Sequence, residues 1–239
     1  MRLRLTLEYD GTGFRGWAAQ PGLRTVEGEL RRALGELYGP FDSLAVAGRT
    51  DAGVHALGQV ASVDVDGGPP AARAAEALNA VLPADVSVVA AQEAAPDFHA
   101  RHSARSRSYR YRIYCRTTPS PFEAGRSWWV PRPLDVEALG RAAAFVEGAH
   151  DFRAFTPTET QHQAFGRTVL RAAWLERGDH LDFEIEANSF LRHMVRTLVG
   201  TMVNLEPERV PALLEGAPRS EAGRTAPPWG LYLERVTYL

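Results

Sequence analysis

The chain has 239 residues, 45% hydrophobic and 23% charged, with a formal net charge of −2 at pH 7. That balance excludes a disordered polymer, and the length is enough to bury a core without staples. The one cysteine, Cys115, excludes a disulfide framework or an all-cysteine metal site. No run approaches the roughly 18 apolar residues of a membrane span. The alternating start MRLRLTLEYD lacks an apolar leader, so a cytoplasmic protein is expected, with no membrane partner.

Leu3, Leu5 and Leu7 alternate with Arg2, Arg4 and Thr6, which predicts a half-buried strand. Residues 25–37 read as a helix, with Val26, Leu30, Ala33, Leu34 and Leu37 on one stripe behind a Thr25 cap. Short strands are expected near 43–48 and 58–65, and an alanine-rich helix near 71–82. A strand over 107–114 opens the second half. A helix over 135–147 runs from an Asp135 N-cap to Gly148 as the residue after its C-cap. Runs at 168–177 and 180–187 flank Gly178-Asp179, a two-residue hairpin signal. A helix over 190–203 and a strand over 231–237 close the chain. The polar stretch 156–167 reads as a mobile loop, and the proline-rich 217–228 as a second irregular connection. Each half is thus strand, helix, then paired strands. An α+β protein follows, with halves 1–104 and 105–239 and helices covering a largely antiparallel sheet.

Every one of the 27 basic residues is arginine. Arg101, Arg105, Arg107, Arg110, Arg112 and Arg116 crowd a stretch that also holds Tyr109, Tyr111 and Tyr114. Arginines among aromatics fit a strip contacting phosphates and bases, with Arg105 and Arg107 as its leading members. The same pattern fits the charged outer face of a strand. Strand phase puts Arg105, Arg107, Tyr109, Tyr111 and Ile113 on one side, where the tyrosines could equally pack across strands.

The stretch from Ala47 to Ala56 carries the strongest chemical signal. Gly48 and Gly53 bracket Arg49-Thr50-Asp51, and glycines let a backbone turn sharply and approach another molecule closely. An aspartate there is either a reactive carboxylate at a strand end or the ordinary polar residue of a turn. Asp51 with His55, four residues on, is a weak metal pair because no further ligand set accompanies it, and the same holds for His99 and His102. No metal site is therefore expected.

GRTDAGVHALGQV resembles the signature of the tRNA pseudouridine synthase A family, with Asp51 at its nucleophilic aspartate. Five further segments match in order. They are Tyr9 to Trp17; Phe98 to Ala104 with Arg107 to Tyr111; His150 to Phe152 with Phe155; Phe190 to Arg196 with Val199-Gly200; and Ala226 to Pro228 with Gly230 to Leu233. The resemblance implies a pseudouridine synthase-like fold with an active-site cleft between two halves. It also implies isomerisation of uridine to pseudouridine in tRNA, just 3′ of the anticodon, without a cofactor. Tyr109 would be the active-site tyrosine that stacks on the uracil. Arg196 would be the cation that keeps Asp51 ionised. Its helical phase puts it at the border of a stripe made by Leu191, Met194, Val195, Leu198 and Met202, where a snorkelling surface arginine would also fit. Arg49 would fill the space of a flipped nucleotide or hold its phosphate. A homodimer binding tRNA is implied as well. A non-catalytic tRNA-binding or RNA-chaperone module is the rival reading, and a metal-dependent hydrolase on Asp51 and His55 a weaker one.

Overall fold

The structure, a computed structural model, describes residues 1–160 and 162–238. In chain order its elements are β1 (Arg2–Tyr9), α1 (Val26–Tyr38), β2 (Phe41–Val46), β3 (His55–Val65), α2 (Ala71–Val81), β4 (Val86–Glu93) and β5 (Ser106–Tyr114). There follow β6 (Trp128–Trp129), α3 (Val136–Val146), β7 (Gly148–Asp151), β8 (Gly166–Arg177), β9 (His180–Ala187), α4 (Met194–Met202), α5 (Val210–Leu213) and β10 (Leu231–Thr237). The α+β class is as expected. Contacts divide the chain into two compact units. One is Met1–Arg105 with the C-terminal segment from Tyr232, the other Ser106–Leu231.

In the first unit the strands run β4-β1-β3-β10, with β2 also alongside β3. All pairs are antiparallel except β3 with β10. Leu3, Leu5 and Leu7 are fully buried, as the alternation of β1 requires. Helix α1 starts where Thr25 Oγ1 accepts the Gly28 amide at 3.2 Å, and it buries Val26, Leu30, Ala33 and Leu34. Strand β3 begins at His55, three residues earlier than its sequence pattern indicates, so the end of the glycine-rich stretch is strand. The packing of β10 against it depends on Gly58, where a Cβ would lie 2.3 Å from the Glu234 carbonyl oxygen.

The second unit has the strand order β5-β9-β8-β7, with the short β6 parallel to β5. The β8–β9 hairpin turns on Gly178 at φ +63°, the left-handed conformation expected there. Tyr109, Tyr111, Ile113, Leu181, Phe183, Ile185, Ala172 and Trp174 are buried along these strands. Helix α3 packs on β8, and α4 packs on β5. The alternate residues of β5 behave differently. Arg110 and Arg112 lie 3.7 and 3.9 Å from Asp182 of β9, and Arg177 lies 3.4 Å from it. Burial pushes the Asp182 carboxyl above its usual range, and the three guanidiniums pull against that shift. Arg110 and Arg112 thus belong to a half-buried ion cluster around buried Asp182.

Two expectations need correction. The helix expected over 190–203 starts at Met194, because His193 has φ +61° and a left-handed residue cannot lie inside a right-handed helix. Apart from Arg196, every residue of α4 is buried, so the helix has no polar face for Arg196 to border. In the stretch read as a loop, residues 156–160 and 162–165 carry neither helix nor strand, and Gln161 lies outside the described residues. Among the described residues, no helix is long and apolar enough to cross a membrane.

Candidate active site

Asp51 is half-buried on the loop that leads into β3. Its carbonyl accepts the Val54 amide at 3.1 Å, closing a four-residue turn in which Gly53 has φ +77°. A positive φ at that position is what a type II turn demands of glycine. The loop is braced by the segment after β1. Thr50 carbonyl accepts the Trp17 amide at 3.0 Å, and the Gly53 amide donates to Phe14 carbonyl at 3.3 Å. Two glycines make this approach possible. A Cβ on Gly11 would sit 2.0 Å from the Val54 oxygen, and one on Gly16 (φ +92°) would sit 2.9 Å from the Thr50 oxygen. The Tyr9–Trp17 motif and the Asp51 motif, about forty positions apart, are therefore two sides of one contact.

Side chains brace the same loop from within. Tyr9, Thr50 and Gln59 are all buried. Tyr9 Oη lies 2.8 Å from Thr50 Oγ1, and Gln59 Nε2 donates to Gly48 carbonyl at 2.6 Å and to Tyr9 Oη at 3.3 Å. Burial pushes the Tyr9 phenol up to about 12, so it stays protonated at any working pH. His55 points into the structure. Its Nδ1 accepts the Gly11 amide at 3.0 Å and lies 3.3 Å from Asp10 Oδ1, and its ring stacks on Tyr232 at 4.6 Å. An imidazole nitrogen already accepting an amide proton has no lone pair to offer a metal at that atom. His99 Nδ1 is likewise taken by the Arg101 and His102 amides. Among the described residues, no group of three or more His, Cys, Asp or Glu is arranged to hold a metal. Arg49 and Arg105 are exposed, and Arg105 is tied to β10 through its amide, which donates to Thr237 carbonyl at 2.9 Å.

In the second unit Tyr109 is 9% exposed on β5, its ring edge-on to Phe190 at 4.9 Å. Arg107 is buried beside it and donates to Asn188 carbonyl at 2.9 Å. Strand β5 thereby holds the 188–190 segment that leads towards α4. On α4, Arg196 Nε donates to Ala226 carbonyl at 2.9 Å, while the Ala226 amide donates back to Arg196 carbonyl at 3.0 Å. Gly200 admits this crossing strand of chain, since a Cβ there would overlap the Arg224 carbonyl. Tyr111 Oη donates to Pro227 carbonyl at 2.8 Å. Burial raises the Tyr111 phenol, and the charge of Arg196 works against that shift. The Phe190–Gly200 and Ala226–Pro228 motifs thus fix one another and hold Arg196. Tyr9, Gln59 and Phe190 lie within the matched motifs, but their partners, and the role of Asn188, are set by neighbours distant in sequence that no local pattern announces.

A family described as tRNA pseudouridine synthase matches residues 142–239. Over nearly the whole chain the relatives are closer. tRNA pseudouridine synthase A of Moorella thermoacetica is 46% identical, covering 99% of both chains. That of Thermus thermophilus is 45% identical over 99% of this chain and 96% of its own, and that of Bacillus subtilis 41% over 100% and 99%. The protein therefore belongs to the tRNA pseudouridine synthase A family, a family of isomerases. Among solved structures, a chain of a Cbf5-Nop10-Gar1 complex is 12% identical, matching 96% of this chain and 57% of its own at a TM-score of 0.38.

Proposed function

We propose that the protein isomerises uridine to pseudouridine in the anticodon stem-loop of tRNA, just 3′ of the anticodon, with Asp51 as nucleophile. The observation that carries this reading is the Asp51 turn itself, a half-buried carboxylate on a loop braced by Gly11, Gly16, Tyr9 and Gln59. A turn whose aspartate was merely polar would not need clamps on both flanks. The chemistry suits a carboxylate. The N1–C1′ bond breaks, the uracil turns, and a C5–C1′ bond forms. C5 gives up its proton and N1 gains one, so atoms and electrons balance without a redox partner. A carboxylate can form and release the covalent intermediate that keeps base and sugar together.

Tyr109 matches the family's active-site tyrosine. Its ring, held edge-on by Phe190, serves to stack on the uracil, and its hydroxyl serves the proton transfer at C5. Arg196 matches the cation that favours the ionised nucleophile. A uridine within a stem must be flipped out to react, at a cost of a few kcal/mol. Exposed Arg49, two residues before Asp51, fills the vacated place or holds the neighbouring phosphate, and exposed Arg105 contacts the backbone. Arg107 serves substrate binding indirectly, by holding Asn188 and so the segment carrying Phe190. The active species is a homodimer in the cytoplasm with tRNA as its partner.

The test is Asp51→Asn in single-turnover assays at saturating unmodified tRNA. Pseudouridine should fall to background while tRNA affinity persists or rises, because the variant removes an anion facing RNA. Turnover at the wild-type rate by the folded variant would refute Asp51 as nucleophile.

A further inference from the structure

We propose that Tyr9, Gln59 and Thr50 form a positioning relay that sets the backbone of the catalytic loop, an inference that rests on Asp51 being the nucleophile. The orientation of the Gln59 amide follows from its bonds. Gln59 Oε1 accepts the Val60 amide at 3.1 Å and its Nε2 donates to Gly48 carbonyl at 2.6 Å, so the amide can point only one way. Its second N–H then donates to Tyr9 Oη, which shares a 2.8 Å hydrogen bond with Thr50 Oγ1. Buried Gln59, in the middle of β3, thereby fixes Gly48 directly and Thr50 through Tyr9.

Those two residues bracket Arg49 and end immediately before Asp51. Thr50 is held twice, by Tyr9 at its side chain and by the Trp17 amide at its carbonyl. Past Asp51 the turn bond to Val54 and the Gly53–Phe14 bond hold the other flank. All three relay side chains are buried and bonded to one another, and their effect reaches the reaction through where Asp51 is held. Misplacement of a reacting group by about an ångström can cost on the order of 100-fold in rate. The relay is the part of this bracing that side chains carry, so a substitution can remove it while the backbone bonds to Trp17, Phe14 and Val54 remain.

Tyr9→Phe, Thr50→Val and Thr50→Ser test it beside Asp51→Asn, each checked for a wild-type far-UV spectrum and cooperative melting. Single-turnover rate at saturating tRNA and tRNA affinity are measured separately. Tyr9→Phe and Thr50→Val should slow the reaction by about 10-fold to 100-fold with affinity within about twofold of wild type. Thr50→Ser, which restores the hydroxyl, should recover most of the rate lost in Thr50→Val. If Tyr9→Phe does not fold, the two Thr50 variants decide. Rates within about twofold of wild type, no recovery in Thr50→Ser, or a fall in affinity as large as the fall in rate would each overturn the relay. Should Asp51→Asn retain full turnover, the nucleophile assignment fails instead, and the two failures are told apart.

Discussion

At the scale of single residues, glycines show how differently one residue type can act. Gly11 lies against the Val54 backbone, with only 2.0 Å for an added Cβ. Gly35 lies on the exposed side of helix α1 with nothing within 4 Å of such a Cβ. Gly11→Ala must therefore push the opening segment off the Asp51 loop, and overpacking of this kind costs about 1–3 kcal/mol. Gly35→Ala should instead stabilise by about 0.5–1 kcal/mol, by lowering the backbone entropy of the unfolded chain. Urea unfolding checks both signs, and pseudouridine formation should fall only in the first. Equal effects of the two variants would show that the close approach at Gly11 has no energetic weight. The sequence shows two glycines around Arg49-Thr50-Asp51, a pattern that fits a reactive carboxylate or an ordinary turn, and it is the family resemblance that singles out Asp51. The sequence does not expose why Gly11 and Gly16 are needed. Their neighbours are about forty residues away, and no local pattern encodes a backbone passing at contact distance.

Among the elements, those with a clean hydrophobic period were legible and those without it were not. Strand β1, helices α1 and α3 and the β8–β9 hairpin follow their alternation, caps and turn residues closely. Strand β4 has no clear signature in the sequence. Only Val86 and Val88 are buried in it, and its Ala-Ala centre favours no period. The start of α4 depended on one positive φ at His193, which sequence does not announce. Pairing between elements adds a pH dependence. At the start of β1, Arg2 Nε donates to Asp64 Oδ1 at 2.8 Å, across from it in β3. The hydrogen bonds from Arg2 hold the Asp64 carboxyl below the usual carboxylate range, although partial burial opposes this. A carboxyl depressed on folding adds stability above its unfolded value, and that stability is lost as pH falls through the folded value. Arg2→Ala should thus be less stable than wild type near neutrality, with the gap closing below about pH 4. Urea midpoints across that range measure it, and a gap independent of pH would assign the loss to Arg2's other bond, to Phe98 carbonyl.

For the whole molecule, a net charge of −2 hides a division among its arginines. Many are spent within the protein. Arg24 pairs with Asp85, Arg31 with Glu27, Arg73 with Glu76, and three share Asp182. Arg107 is buried against a carbonyl. Arg49 and Arg105 stay exposed, one two residues before Asp51 and one at the end of its unit. RNA affinity should therefore follow these exposed groups and not the net charge. Each phosphate neutralised releases counterions, which contributes about −0.7 to −0.9 to the slope of log affinity against log salt. tRNA binding should weaken steeply as salt rises, despite the acidic balance. Replacing Arg49 and Arg105 together by alanine should make the slope shallower by about 2. Arg107→Ala should lower the melting temperature and leave the slope as it was, because a buried guanidinium bonded to Asn188 releases no counterion when RNA binds. Titrations of unmodified tRNA at four or more salt concentrations separate the two classes. An unchanged slope in the double variant would place the phosphate contacts elsewhere on the surface. A shallower slope in Arg107→Ala would show that burial in the unbound protein does not keep this arginine from the RNA.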